Sequence, residues 1–285
     1  MRIGILTRQP GLYSSQRLAE ACEAAGRTAE MLDPLALAPS VGSAELELPE
    51  CDVLIPRVVT VVLDHSLAVI RAYEAAGVPA LTRAAAAALA ASKFATLQSL
   101  ERVGLRVPRS CLPRTPEALR RFVDGVGGPP VILKMSEGYG GTEVMRANSL
   151  DEADALLTVF LNLRQSVVVQ EVFGVPGRDV RVLVVDGECI AAVERIASEG
   201  EFRANVHVGG RCEPAELSAE ERALSADAAA AVGLTVAGVD LLRSDVGAAV
   251  MEVNACPGLK GVEEATGVDV AARIVDAACQ LASGA

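Results

Sequence analysis

Apolar runs bounded by glycines and capping residues divide the first part of the chain into short strands and helices. Ile3–Leu6 predicts a first strand, and Ser14 or Ser15 caps a helix that runs to Ala25 and stops at Gly26. Asp52–Pro56 predicts a second buried strand, Ser66–Ala76 a helix ended by Gly77, and Val78–Leu81 a further strand-like segment. The alanine-rich run Ala84–Ala91 is helical by propensity. This βαβ rhythm predicts a small parallel sheet with helices on its faces.

From Ser92 the pattern changes. Lys93–Arg102 predicts a helix ending at Gly104, and Val107–Cys111 a strand that Pro108 assigns to a sheet edge. Pro116–Val123 is a helix, followed by a turn-rich stretch and the strand Val131–Lys134. A loop, Ser136–Thr142, leads to the strand Val144–Ala147, the helix Leu150–Leu163 and the strand Val167–Val172. This β-α-β-loop-β-α-β segment predicts a second, smaller lobe, with Gly174–Gly177 as a hinge. The remainder is strand-rich, with helices at Ser218–Val232 and Val268–Leu281. The expected domains are 1–90, 91–173 and 174–285.

Near the end, Thr235–Leu242 reads as a strand with Asp240 its only charge. Val250–Asn254 is a second apolar run that carries Glu252 and Asn254 two residues apart, hence on one face. Asp245-Val246-Gly247 joins the two. A three-residue loop with Gly in the left-handed third position sets Ser244 opposite Ala248, and Asp240 opposite Glu252. Two carboxylates and an amide oxygen then converge. Such a cluster repels itself unless a hard cation sits in it, which suggests Mg²⁺ carrying substrate phosphates. A Glu and an Asn on a hairpin also fit a solvated face, but a strand with apolar flanks on both sides has no solvent face for them.

Composition narrows the setting. The chain has 285 residues, 51% of them hydrophobic, enough for a sizeable core and more than one lobe. A net charge of −11 argues against nucleic acid as the main partner, and 3% aromatics leave little for base stacking. No apolar run approaches the roughly 18 residues of a membrane helix. Met1–Thr7 reads as a strand rather than a signal-peptide core. The seven cysteines are scattered without a Cys-x-x-Cys pair and read as free thiols of a reducing cytoplasm.

Several polar positions interrupt the apolar pattern. Gly138-Tyr139-Gly140-Gly141, between two strands, lets the backbone approach a ligand and aim amides at phosphates, though a Gly-rich hairpin is also simply a turn. It is neither a Walker loop nor a Rossmann fingerprint. Lys134, ending the strand before it, either neutralises phosphate or snorkels to water, and Lys93 at a helix start carries the same two readings. Gln170-Glu171 could hydrogen-bond an adenine or be plain surface. Arg203, in the polar loop 199–210, could stabilise a phosphoryl group or an oxyanion, or pair with a nearby glutamate. His207 has no Ser or Cys at motif spacing, so a nucleophilic triad is set aside, and His65 reads as surface.

Taken together, these residues resemble the RimK type of ATP-grasp enzyme. The resemblance runs through Leu12–Ser15, Asp52–Arg57, Ser92-Lys93, Val131–Lys134, Val169–Glu171, Arg178–Arg181 and Glu201–Asn205. Its most specific parts are Val236–Asp240, Met251–Leu259 and Thr266–Asp269. It implies an α/β ATP-grasp fold: an N-terminal βαβ pre-ATP-grasp domain, a small central lid and a C-terminal mixed-sheet domain holding the metal site. It further implies that Lys93 and Lys134 touch the ATP phosphates beside Gly140 and Gly141. Glu171 and Val172 would hold the adenine, and Asp179 would lie on the ribose side. Arg203 and Asn205 would lie at the triphosphate and the reacting acyl group, Arg203 and Lys134 being the catalytic cations. Asp240, Glu252 and Asn254 would bind two Mg²⁺, with Mn²⁺ able to substitute.

The implied reaction is ATP-dependent carboxylate–amine ligation through an acyl phosphate. The implied partners are ATP, an amino acid (glutamate) and a protein, peptide or small-molecule acceptor, with no nucleic acid and no membrane. A cytoplasmic homo-oligomer is implied as well. Two departures bear on the acceptor and on activity. The family loop usually has a glycine where this chain has Glu143, and a basic residue where it has Val208, with Arg211 placed to compensate. They keep open a biosynthetic ligase acting on a small molecule or carrier protein, and a nucleotide-binding regulator without catalysis.

Overall fold

Parallel pairing joins β1 (Arg2–Thr7) to β2 (Thr28–Leu32) on one side and β3 (Val53–Arg57) on the other, giving the order β2-β1-β3. The computed structural model describes residues 1–42, 48–57, 62–136, 144–198, 201 and 210–284. The expected strand at Val78–Leu81 is reduced to a bridge, Leu54 to Ala80, because Pro79 has no N–H to extend a ladder. Helix α1 spans Tyr13–Ala24 and so begins ahead of the serines expected to cap it. Those serines make tertiary contacts instead: Ser14 Oγ accepts from the Leu259 amide at 3.1 Å, and Ser15 Oγ pairs with Thr7 Oγ1 at 3.2 Å. Helices α2 (Leu63–Ala75), α3 (Ala84–Ala91) and α4 (Lys93–Arg102) follow. His65 is half-buried rather than a surface residue, its Nε2 bridging the carbonyls of Pro34 and Leu37.

The second sheet contains β4 (Ser110–Cys111), β5 (Val131–Met135), β6 (Val144–Ala147) and β7 (Val167–Glu171) in the antiparallel order β4-β7-β5-β6. The Pro108 segment lies at its edge, as a residue without a ladder donor requires. Helices α5 (Pro116–Gly125) and α6 (Leu150–Asn162) are capped by Thr115 and Ser149. They cover one face through Leu119, Val123, Leu157 and Phe160, packed on Val131, Leu133 and Val169. Alternation therefore turns Ile132, Lys134 and Gln170 to the other face.

The third sheet has β8 (Arg178–Val185), β9 (Glu188–Ile196), β10 (Arg211–Pro214), β11 (Val236–Ser244) and β12 (Gly247–Asn254) in the order β10-β9-β8-β11-β12. Every ladder recorded in it is antiparallel, so the mixture of pairing types lies between sheets rather than inside the C-terminal one. Helix α7 (Ala219–Val232) opens with a capping box between Ser218 and Glu221 and packs on one face with Leu100 of α4. Two more helices, α8 (Lys260–Thr266) and α9 (Val270–Ser283), pack on the other. Ile274 and Val275 of α9 share a core with Ile3, Ile5 and Val53 of the first sheet and Leu183 and Val193 of the third, which joins the chain's two ends.

Candidate functional site

A cleft of about 570 Å³ opens where residues of all three sheets meet. Of the twelve site residues expected from sequence, eight lie in the described part: Lys93, Lys134, Glu171, Val172, Asp179, Asp240, Glu252 and Asn254, and all eight line this cleft. Gly140, Gly141, Arg203 and Asn205 lie outside the described residues, as do Glu143, His207 and Val208.

The β11–β12 hairpin pairs Asp240 with Glu252 and Gly238 with Asn254. The turn that achieves this is tighter than expected: Ser244 pairs with Gly247, not Ala248. A shift between Asp240 and Leu241 then restores the register, because Leu241 pairs with Val250 and Met251 is the extra residue. The bulge also re-aims side chains. Met251 and Glu252 both line the cleft, although neighbours on a regular strand face opposite ways.

The carboxylates do not stand unneutralised. Asp240, 1% exposed, accepts two bonds from Arg181, at 2.7 and 2.6 Å, and one from Arg195 at 2.8 Å. Asp179 accepts two from Arg195, at 2.6 and 2.8 Å. The Lys93 ammonium lies 3.8 Å from Glu252 Oε1. The expectation that the cluster needs a hard cation for its relief is thus corrected: arginine and lysine side chains share that task. Burial pushes the Asp240 carboxyl up, but Arg181 and Arg195 together take it below the ordinary value. Burial, opposed by Arg195, raises that of Asp179.

The donor set still fits a hard divalent ion. Asn254 turns its Nδ2 to the Gly238 carbonyl at 3.2 Å and to Asp240 Oδ2 at 3.5 Å, and no described residue donates to its oxygen. Glu252 is half-buried, and among the described residues Asp240 Oδ1 takes part in a single hydrogen bond, the 2.7 Å contact with Arg181 Nε. Two carboxylates and an amide oxygen are the ligand types Mg²⁺ takes. Among the described residues, no three His, Cys, Asp or Glu side chains group into a metal cluster by themselves.

On the lid side, Lys134 Nζ donates to Gln170 Oε1 at 2.7 Å, and Gln170 Nε2 to Ser110 Oγ at 2.9 Å. Burial holds the Lys134 ammonium down to about 8, with Lys93 adding to the effect and Glu252 opposing it. The Lys93 amide bonds the Ser136 carbonyl at 3.0 Å, which ties the start of α4 to the end of β5. The Glu171 carboxylate is held by the Arg109 amide and side chain, at 2.8 and 2.6 Å, and the Glu171 amide donates to the Arg109 carbonyl at 3.0 Å.

Sequence reasoning gave no role to Arg181 or Arg195. Alternation could have found Arg181, two residues from Asp179 on β8. Arg195 becomes visible only when β9 is paired with β8, which sets it directly opposite Asp179. The seven cysteines are all free, as expected. Among the described residues no helix is long and apolar enough to cross a membrane.

Residues 1–87 match the RimK PreATP-grasp domain and residues 90–278 the RimK-like ATP-grasp domain. The chain is 41% identical over 283 residues to a probable alpha-L-glutamate ligase of Thioalkalivibrio sulfidiphilus, covering 96% of this chain and 94% of that one. A protein of the same name from Teredinibacter turnerae is 40% identical over 284 residues, covering 97% and 94%. Among solved structures, the ATP-grasp ligase PsnB complexed with its minimal precursor superposes with a TM-score of 0.78 at 26% identity, covering 98% of both chains. PsnB has also been solved with a phosphomimetic precursor variant, Mg and ADP, at a TM-score of 0.78 and 25% identity over 98% of both chains. The chain belongs to the RimK-like ATP-grasp family and is an ATP-dependent ligase that forms carbon–nitrogen bonds.

Proposed function

We propose that this ligase adds L-glutamate to an acceptor, the two joined by an amide formed through an acyl phosphate. The observation that carries the reading is the gathering of eight expected site residues, from separate strands and helices, around one cleft. Lys93 and Lys134 neutralise the ATP phosphates, and the Glu171–Val172 backbone borders the adenine. Asp240, Glu252 and Asn254 hold two Mg²⁺, or Mn²⁺ in their place. When bound, these ions supply charge neutralisation at the triphosphate. In this reading Asp179 acts through Arg195, and the unit 91–173 closes as a lid over the nucleotide.

In the first step a substrate carboxylate oxygen bonds to the γ-phosphorus as the bridging P–O bond breaks and ADP leaves. The amine lone pair of the second substrate then attacks the acyl carbon. The C–O bond to phosphate breaks from the tetrahedral adduct, and the amine proton departs with phosphate. The chain's part is positioning and charge neutralisation, together with excluding water that would hydrolyse the acyl phosphate.

Curated relatives at about 40% identity named for glutamate support the choice of amino acid. The likeness to PsnB, solved with a peptide precursor, supports a peptide-like acceptor. The test is ADP release with glutamate and a panel of peptides, proteins and small carboxylic acids, followed by mass spectrometry. The reading predicts ADP formation that requires both substrates and a product heavier by one glutamyl residue. ADP release with a different amino acid and none with glutamate would refute it.

A further inference from the structure

Arg57 ends β3 and stands beside Thr7, the last residue of β1, so the two neighbouring parallel strands deliver both residues to the cleft at their carboxyl ends. That end of a parallel α/β sheet is where ligands bind in this class of layer. The Arg57 guanidinium is half-buried and makes one recorded hydrogen bond, from its Nη2 to the Pro257 carbonyl at 2.9 Å. A guanidinium carries five N–H donors, so most of its capacity is uncommitted among the described residues.

The other arginines of the cleft differ. Arg181 and Arg195 are spent on Asp240 and Asp179, Arg8 lies 3.4 Å from Asp33, and Arg178 lies 3.2 Å from Glu194. Among the described arginines lining the cleft, only Arg57 and Arg146 have no carboxylate partner. Arg146 is exposed on β6, across the ladder from Ile132 on the lid sheet that carries Lys134. Arg57 belongs to the opposite wall. Arg57 is thus a half-buried arginine with no carboxylate partner among the described residues.

Its position ties it to the reacting centre. Pro257 lies three residues beyond Asn254 and packs over Gly238, where a Cβ would meet Pro257 Cβ at 2.7 Å. Gly238 is the ladder partner of Asn254. Arg57 is therefore fixed to the loop that continues directly from the candidate metal strand. A planar fork of donors held there matches a carboxylate in bidentate fashion.

We propose that Arg57 binds a carboxylate of the non-nucleotide substrate and makes this wall of the cleft selective for an acidic amino acid or an acidic chain end. This rests on the ligase reading above, and the carboxylate belongs either to free glutamate or to the end of the acceptor. Glu264 of α8 also lines the cleft and lies 3.8 Å from Lys260, so it is itself opposed by a cation.

The test uses the full chain as parent, Arg57→Gln and Arg57→Lys, with the unfolding midpoint of each measured first. ADP release is followed with glutamate against glutamine, and with a peptide ending in glutamate against the same peptide ending in glutamine, which keeps the terminal carboxylate that reacts. Losing charge-assisted hydrogen bonds corresponds to about tenfold or more in affinity. Arg57→Gln is expected to raise KM by that factor for the acid of one pair, to leave its amide and the KM for ATP within about twofold, and Arg57→Lys to recover part of the loss. Which pair responds tells free amino acid from acceptor end. An equal loss for acid and amide, a raised KM for ATP, or no change overturns the proposal.

Calorimetric titration of the same pairs in the presence of a non-hydrolysable ATP analogue separates this idea from the ligase reading. Acid binding that is present in the parent and lost in Arg57→Gln supports the site even if no ADP is formed. A parent that binds acid and amide equally, or binds neither, overturns it. Should Arg57→Gln not fold, Arg57→Lys and the parent's preference for acid over amide decide.

Discussion

Arg181 and Asp240 are ladder partners on β8 and β11 and are also joined through two side-chain bonds, at 2.7 and 2.6 Å. A carboxylate buried to this depth is tolerable only when paired. Arg181→Met leaves Asp240 with Arg195 and a long, 3.5 Å contact from Asn254 Nδ2. Its unfolding free energy in urea at neutral pH should fall by about 3 kcal/mol, the scale for breaking a buried ion pair. The pH dependence follows from the sign of the shift. The Asp240 carboxyl is held below its ordinary value, so its contribution is present above the unfolded pKa and is lost as pH falls through the folded one. The deficit of Arg181→Met should therefore shrink below about pH 4, the ordinary range for Asp. A deficit that stays constant with pH would detach the arginine from this carboxylate.

Glu252 separates function from stability more cleanly, because its side chain is 30% exposed and its nearest recorded cation, Lys93, is 3.8 Å away. Glu252→Gln keeps the shape and removes the charge. Turnover should drop on the order of 10²-fold or more, with the unfolding midpoint nearly unchanged. ADP release at the parent rate in saturating Mg²⁺ would remove Glu252 from the metal site.

Lys134 should make nucleotide binding sensitive to pH. Burial holds its ammonium down to about 8, and the charged form is the one that neutralises phosphate. ATP affinity should fall as pH rises through about 8, and Lys134→Met should flatten that slope while weakening binding throughout. Stability moves the other way. Between the folded pKa and the ordinary lysine value near 10.4, the unfolded chain binds more protons. Lys134 therefore adds to stability as pH rises through that window. Titrating an ATP analogue into both proteins from about pH 6.5 to about 9 reads the first effect, and an affinity independent of pH in the parent would contradict it.

Local pattern foretold what is local. The helix Lys93–Arg102 and the strand Val144–Ala147 fall where alternation and capping put them, since their own residues decide them. Pairing was less legible. Asp240 faces Glu252 as expected, yet through a tighter turn and a bulge at Met251 that offset each other; alternation of apolar residues carries no mark of either. Arg195 escaped notice because its partner Asp179 is 16 residues away on the neighbouring strand. Strand β2 was not anticipated, since Thr28-Ala29-Glu30 breaks the apolar run and only Leu32 of the strand is fully buried. Nor was α8, a seven-residue helix just after Pro257-Gly258.

Gly238 tests whether the loop after β12 must sit as it does. Its backbone is ordinary, so no conformational penalty bars a side chain; the constraint is space. A Cβ there would stand 2.7 Å from Pro257 Cβ and 3.7 Å from Arg181 Nε. Proline cannot swing aside like a flexible side chain, so Gly238→Ala must displace the loop itself. That loop carries the carbonyl that holds Arg57 and continues from Asn254, whose Nδ2 bonds the Gly238 carbonyl. Overpacking of this kind costs about 1–3 kcal/mol, which denaturant unfolding would register. Turnover should fall further than that loss of folded protein explains, because candidate ligands on either side of the ladder move apart. Gly258 supplies the control: a Cβ there meets nothing within 4 Å, so Gly258→Ala should leave folding nearly unchanged. Equal effects of the two substitutions would show that the Pro257 contact does not set the geometry of the site.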